Sequence, residues 1–344
     1  MTHPNRVAQE VIAGKYRLLR PLGTGSAAEA WEAENVLLGR RVAVKLLHPH
    51  LAEDAETRAR FLAEARASAR IAHRNVVDVY DIGVAEDGAP FLVMELCNGE
   101  TLSSVIDGRG PMGVSYAADL VAQILSALHA AHELGIVHRD LKPDNVMIVH
   151  PRPDEPVVKV LDFGIAQGVL GEGHAAESGV VIGTPEYMPP EQARGERVDA
   201  RADLYAAGVI LFELLTGTVP FLAASPEGTL ALVLTRPAKA PSRRGVELPE
   251  ELDAIVLSAL AKSPARRPQS ARDFLEALAP FATPALRVPS LLPLGDSEPP
   301  LPLVSARPGT PSLVTVPSQR SPARLELVIE TSPPPPPLLG RKDR

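Results

Sequence analysis

Short apolar runs separated by turn residues fill the first part of the chain. Residues 16–19, 41–46, 76–80 and 91–94 read as strands, and one helical stretch, 55–71, interrupts them. Beyond Gly99 the spacing changes. Leu120, Val121, Ile124, Leu125 and Leu128 recur at helical intervals, and 203–215 is apolar almost all round, the pattern of a buried central helix. The order implied is a small β-rich part followed by a larger helical part. No internal repeat is present.

Composition changes this picture at the ends. Of 35 prolines, 15 lie in the last 63 residues, including the run 333–337, so 282–344 reads as a disordered Pro-rich tail of solvated, polyproline-like chain. Within it 325–329 resembles an isolated strand with nothing to complete a sheet. Residues 1–15 read as an N-terminal extension and 16–281 as one compact unit, and 45% apolar residues supply ample core for it. The net charge of −7 disfavours nucleic acid as a partner. A single cysteine, Cys97, excludes an intramolecular disulfide and a cysteine-based zinc site. The N-terminus has no signal-peptide core, and no run of about 18 apolar residues suggests a membrane span, so a cytoplasmic protein is expected.

The candidate chemistry lies in polar residues at odd places. Gly23-Thr24-Gly25-Ser26-Ala27-Ala28 allows close backbone approach to a polyphosphate, although paired glycines also serve ordinary tight turns. Lys45 ends the apolar Val42-Ala43-Val44; it either snorkels at an edge or needs a partner, for which Glu64 on the next helix is one candidate and a solvated helix face the other reading. The most specific block is His138-Arg139-Asp140-Leu141-Lys142-Pro143-Asp144-Asn145, with Asp162-Phe163-Gly164 following 22 residues past Asp140. Asn145 and Asp162 are hard oxygen donors of the type Mg2+ prefers. Asp140 could take a proton from a hydroxyl, and Lys142 could neutralise charge on a transferred group. His48 and His50 have metal-like spacing without a third ligand and read as solvent-facing.

In this order the motifs resemble the eukaryotic-type (Hanks-type) protein Ser/Thr kinases, especially the bacterial members. The resemblance spans 16–281 and adds Gly183-Thr184-Pro185-Glu186-Tyr187, Pro190-Glu191, Asp203 and Arg267. It implies an α+β, bilobal protein-kinase fold with a β-rich N-lobe (about 16–96) and a helical C-lobe (about 97–281). It implies ATP under a loop formed by Leu22, Gly23, Thr24, Gly25, Ser26, Ala27, Ala28 and Glu29. Lys45 would hold the α- and β-phosphates and pair with Glu64. Asn145 and Asp162 would hold Mg2+, with Mn2+ as the alternative metal. Asp140, Lys142 and Thr184 would face the substrate hydroxyl of a protein. Ala30, Ala43 and Met147 would sandwich the adenine, Met94 would guard the back of the pocket, and the backbone of Glu95 and Cys97 would meet the adenine edge. Glu191–Arg267 and Asp203 would support the site. Lys142 and Gly183–Tyr187 point to Ser/Thr rather than Tyr acceptors.

Three departures leave every reacting group in place. Ala28 stands where the third loop glycine is usual, Pro189 where alanine is usual, and Ala30 where valine is usual. The last thins the adenine sandwich by about two methyl groups, or roughly 1–2 kcal/mol. Between Asp162 and Gly183 the only hydroxyl is Ser178. Gln167 replaces a basic residue that would help Arg139 receive a phosphate there, and Glu177 adds like charge, so activation is expected to depend little on Ser178 phosphorylation. The rival reading is a pseudokinase, a nucleotide-binding scaffold. The tail's proline run offers a ligand for a proline-reading domain.

Overall fold

The computed structural model describes residues 6–25, 27–152, 155–163 and 184–283, all in one compact unit. Six antiparallel strands form the first sheet: β1 (Val11–Ile12), β2 (Tyr16–Thr24), β3 (Ala28–Asn35), β4 (Arg41–Leu47), β5 (Val79–Val84) and β6 (Pro90–Met94), in the order β1-β2-β3-β4-β6-β5. Alternation along β4 sets the two faces. Val42, Val44 and Leu46 join Leu18, Trp31, Phe91 and Val93 in one cluster. Ala43 and Leu47 point the other way, toward Phe61 and Ala65 of α2 (Ala55–Ser68), and α1 (Pro49–Ala52) links the two elements. Asp54 caps α2, accepting from the Thr57 backbone N–H at 2.8 Å.

Three boundaries differ from the sequence reading. The packed sheet begins ahead of position 16, because β1 pairs with β2 and Ile12 is fully buried. Residues 28–35, rich in helix-forming Ala and Glu, are the strand β3; Ala28, Trp31 and Ala33 are buried by their neighbours in the sheet. The run 76–80 is not one strand. Val76 forms an isolated bridge with Val160, Val77 donates to the Val160 carbonyl at 3.1 Å, and β5 starts only at Val79.

The second part carries a small sheet, β7 (Gly99–Thr101), β8 (Val146–Arg152) and β9 (Glu155–Val160), beneath helices α3 (Leu102–Arg109) and α4 (Val114–Glu133). After the undescribed 164–183 come α5 (Pro190–Ala193), α6 (Arg201–Thr216), α7 (Pro226–Thr235), α8 (Glu250–Ala259) and α9 (Ala271–Leu278). The apolar run at 203–215 forms α6, buried nearly all round. Gly208 lets α8 approach: a Cβ there would sit 2.7 Å from the Cβ of Ala259. α4 packs against α6, α9 and β9. It is also long and apolar enough by composition to cross a membrane, contrary to the expectation that no such stretch exists. Two-thirds of that helix is buried inside the protein, which assigns its apolar character to the core. The proline-rich tail and the strand-like patch at 325–329 lie outside the described residues, as do Ser26, Gln167, Glu177 and Ser178.

Candidate active site

The β3–β4 register sets Ala30 opposite Lys45, and the β4–β6 register sets Ala43 opposite Met94. Lys45 therefore leaves the sheet on the same face as Ala43. Its Nζ lies 2.8 Å from Asp162 Oδ2, both side chains being largely buried. Asp162 is thus an acidic partner of Lys45; Glu64, the partner that the resemblance implies, is half-buried on α2. Asp162 sits at φ +57, a left-handed conformation, in the turn that presents its carboxylate to the lysine. Three contacts hold that turn. His138 Nε2 donates to the Leu161 carbonyl at 2.8 Å, the Leu161 N–H donates to the Asn145 carbonyl at 2.9 Å, and Ser68 Oγ donates to the Phe163 carbonyl at 2.9 Å. The His138 and Phe163 rings pack with centroids 4.8 Å apart.

The block from His138 to Asn145 folds into a tight acid–base cluster. Lys142 Nζ is 3.0 Å from Asp140 Oδ2. Asn145 Nδ2 donates to the Asp140 carbonyl at 2.7 Å and to its Oδ2 at 3.2 Å. That orientation leaves Asn145 Oδ1 as an acceptor on the segment bonded to Leu161, next to Asp162, so a hard divalent cation fits this donor set. Arg139 sits at φ +65, and the backbone on either side is secured from below. The buried Asp203 accepts the His138 N–H at 2.8 Å, the Arg139 N–H at 2.9 Å and His132 Nε2 at 2.8 Å. Three donors on one carboxylate offset the cost of burying it.

Deeper in the helical part, Arg267 meets Glu191 through two bonds of 2.6 Å and places Nε on the Ala261 carbonyl at 2.8 Å and Nη1 on that of Arg201 at 3.0 Å. This is the bidentate geometry a buried ion pair requires. Thr184 begins the next described segment. Its hydroxyl makes no hydrogen bond to Asp140 or Lys142, and its carbonyl accepts from the Tyr187 N–H at 3.2 Å. Tyr187 donates to Glu213 Oε2 at 2.6 Å. Burial pushes the Glu213 carboxyl up from its ordinary value, and Asp107, Asp144 and Glu186 add to the rise.

At the far end of the cleft, Met94 closes β6 and lines a small apolar pocket with Val79, Leu92, Asp162 and Phe163. The Glu95 N–H is committed to the Asp78 carbonyl at 2.9 Å, and its carboxylate reaches Lys159 Nζ at 2.7 Å. Burial, helped by Glu95, pushes the Cys97 thiol up to about 12, so it is an inert thiol. Met147 pairs with Thr101 across β7–β8 and is half-buried, as is Ala30. Leu22 is largely exposed at the lip, while Gly23 and Thr24 pair with Ala30 and Glu29 across β2–β3. The Gly25 N–H donates to the Ala28 carbonyl at 2.9 Å. Ser68 was not legible as a site residue, although a hydroxyl one turn beyond Glu64 on the same helix face was a usable signal. His48 is not simply solvent-facing: its Nε2 bonds the Gly25 carbonyl at 2.8 Å.

Comparison with known proteins agrees with this geometry. The protein kinase domain pattern matches residues 16–278. Serine/threonine-protein kinase pkn3 of Myxococcus xanthus is 45% identical over 239 residues, covering 68% of this chain and 44% of the relative. Serine/threonine-protein kinase PknB of Mycobacterium leprae is 41% identical over 245 residues, 70% of this chain and 39% of the relative. The chain thus spans less than half the length of these curated relatives. The crystal structure of the Mycobacterium tuberculosis PknI kinase domain is similar with a TM-score of 0.64 at 28% identity, over 81% of this chain and 100% of that one.

Proposed function

Because the chain belongs to the protein kinase domain family, we propose that it transfers the γ-phosphoryl group of ATP to serine and threonine hydroxyls of proteins. The reading is carried by one convergence: Lys45 from the sheet meets Asp162 at 2.8 Å, beside the Asp140–Lys142–Asn145 cluster. Asn145 and Asp162 are the residues to hold Mg2+, or Mn2+, which when bound would draw charge from the phosphates. Lys45, already poised in the cleft, exchanges part of its contact with Asp162 for the α- and β-phosphates. The turn from Leu22 to Glu29 covers the phosphates, and Ala30, Ala43 and Met147 face the adenine, with Met94 behind it and the Glu95–Cys97 backbone at its edge.

Asp140 orients the acceptor hydroxyl and takes its proton as the hydroxyl oxygen bonds to the γ-phosphorus and the bond to the β–γ bridging oxygen breaks, releasing ADP. Lys142 balances the charge gathering on the transferred group. Glu64 on α2 is a counter-charge for Lys45, and Thr184 belongs to the acceptor side of the cleft. Transfer of radiolabelled phosphate from ATP to a generic basic protein tests the reading. Lys45→Met and Asp140→Asn should each cut transfer at least a hundredfold, with Asp140→Asn still binding a fluorescent nucleotide. Equal transfer by wild type and Asp140→Asn would leave a nucleotide-binding scaffold as the reading.

A further inference from the structure

His48 follows β4 directly, three positions beyond Lys45. Two bonds run from it to the glycine-rich turn. Its backbone N–H donates to the Ala27 carbonyl at 2.9 Å, and its ring Nε2 donates to the Gly25 carbonyl at 2.8 Å. The His50 ring lies beside it nearly parallel, 17° between planes and 5.6 Å between centroids. Pro49 then starts α1, with the His48 carbonyl accepting the N–H groups of Leu51 and Ala52 at 3.0 Å, so the backbone that carries the ring is anchored as well. On the other side, Ala28 at the usual third glycine position is buried and paired with Leu47. The turn is thereby fastened to the lysine-bearing strand at both ends of the described part, by backbone pairing at Ala28 and by a side chain at Gly25.

We propose that His48 is a positioning residue for ATP: its ring straps the Gly25 carbonyl so that the glycine-rich turn is held in place over the phosphates. The proposal rests on the nucleotide reading above. A carbonyl needs only a donor, so the Nε2–H is the functional group and the rest of the ring supplies reach and the stack on His50. One net hydrogen bond changes an equilibrium by a factor of roughly 2 to 12. The strap should therefore appear as a several-fold change in ATP affinity and leave the transfer step, run by Asp140, unaltered.

Full-length His48→Phe, which keeps a ring but no donor, and His48→Gln, which keeps a donor without the ring, separate the two properties. His48→Phe should raise the KM for ATP about fivefold, with kcat at saturating ATP unchanged, and speed amide hydrogen exchange at Gly23–Gly25. His48→Gln should stay within twofold of wild type on both measures. An unchanged KM in His48→Phe, an equal loss in both variants, or a loss confined to kcat would each overturn the strap. Lys45→Met in parallel keeps the two readings apart: if it still binds nucleotide like wild type, the site assignment fails, whereas lost binding there with a silent His48→Phe removes only the strap.

Discussion

Asp203 Oδ1 accepts the Arg139 backbone N–H at 2.9 Å across 64 residues of sequence, while its Oδ2 takes the neighbouring N–H of His138. A buried helix of the second lobe thus dictates the backbone immediately before Asp140. Asp203→Asn presents a neutral amide to two N–H donors and His132, weakening charge-assisted bonds that contribute about 1.5–3 kcal/mol each. The expected result is a fall in kcat of about a hundredfold with the KM for ATP changed less than threefold, read by steady-state phosphate transfer.

Glu191 and Arg267 predict a stability effect instead. Glu191→Gln leaves the Arg267 guanidinium buried without its carboxylate, and breaking such a pair costs about 3–5 kcal/mol. Urea unfolding should show that loss. The double variant Glu191→Met with Arg267→Leu should recover at least half of it, because it buries no lone charge.

Glu213 gives stability a pH dependence. Its carboxyl is held above the ordinary 4.5, chiefly by burial, so the folded chain binds this proton more tightly than the unfolded chain does. Its favourable contribution is full below 4.5 and is lost as pH rises through the raised value. Glu213→Gln cannot ionise. Relative to wild type, its urea midpoint should improve steadily as pH is raised from about 4.5 toward neutrality, and a constant difference would contradict the assignment.

Cys97 is the chain's one thiol, which makes it a clean chemical probe. With its pKa near 12 against an ordinary 9.0, the thiolate fraction at pH 8 is roughly a thousandfold lower than in unfolded chain. Iodoacetamide should leave folded protein unlabelled over an hour and modify it quickly in urea, with mass spectrometry as the readout.

Ser178 is the test of the activation segment. Ser178→Ala is expected to keep transfer activity within about tenfold of wild type, since the sequence around it offers Arg139 without a second basic receiver for a phosphate. A larger loss in a phosphate-transfer assay would show that phosphorylation there is required.

What the sequence made legible was the chemistry with a fixed order of rare residue types. Asp203 meets the His138–Asn145 block, and Arg267 meets Glu191, as the resemblance implied, because each contact needs a particular functional group at one place. Strand β3 was hidden because Ala and Glu favour helix locally and only the flanking strands override them. The 76–80 run misled because Val76 and Val77 spend their apolar character bridging to Val160. His48 was invisible for another reason. Its partner is a main-chain carbonyl, which carries no signature in any side chain. Lys45 was legible as a charge needing a partner, but its pairing with Asp162, which sits in a left-handed turn, is specified by no spacing rule.

Helix α4 has a consequence during synthesis. Its apolar surface is covered in large part by α6 and α9, and the last residue of α9 leaves the ribosome 145 positions after Glu133, on the order of 7 to 29 seconds later. Throughout that interval the nascent chain carries an apolar helix face that its downstream partners do not yet cover, which makes the half-made chain the aggregation-prone stage of synthesis.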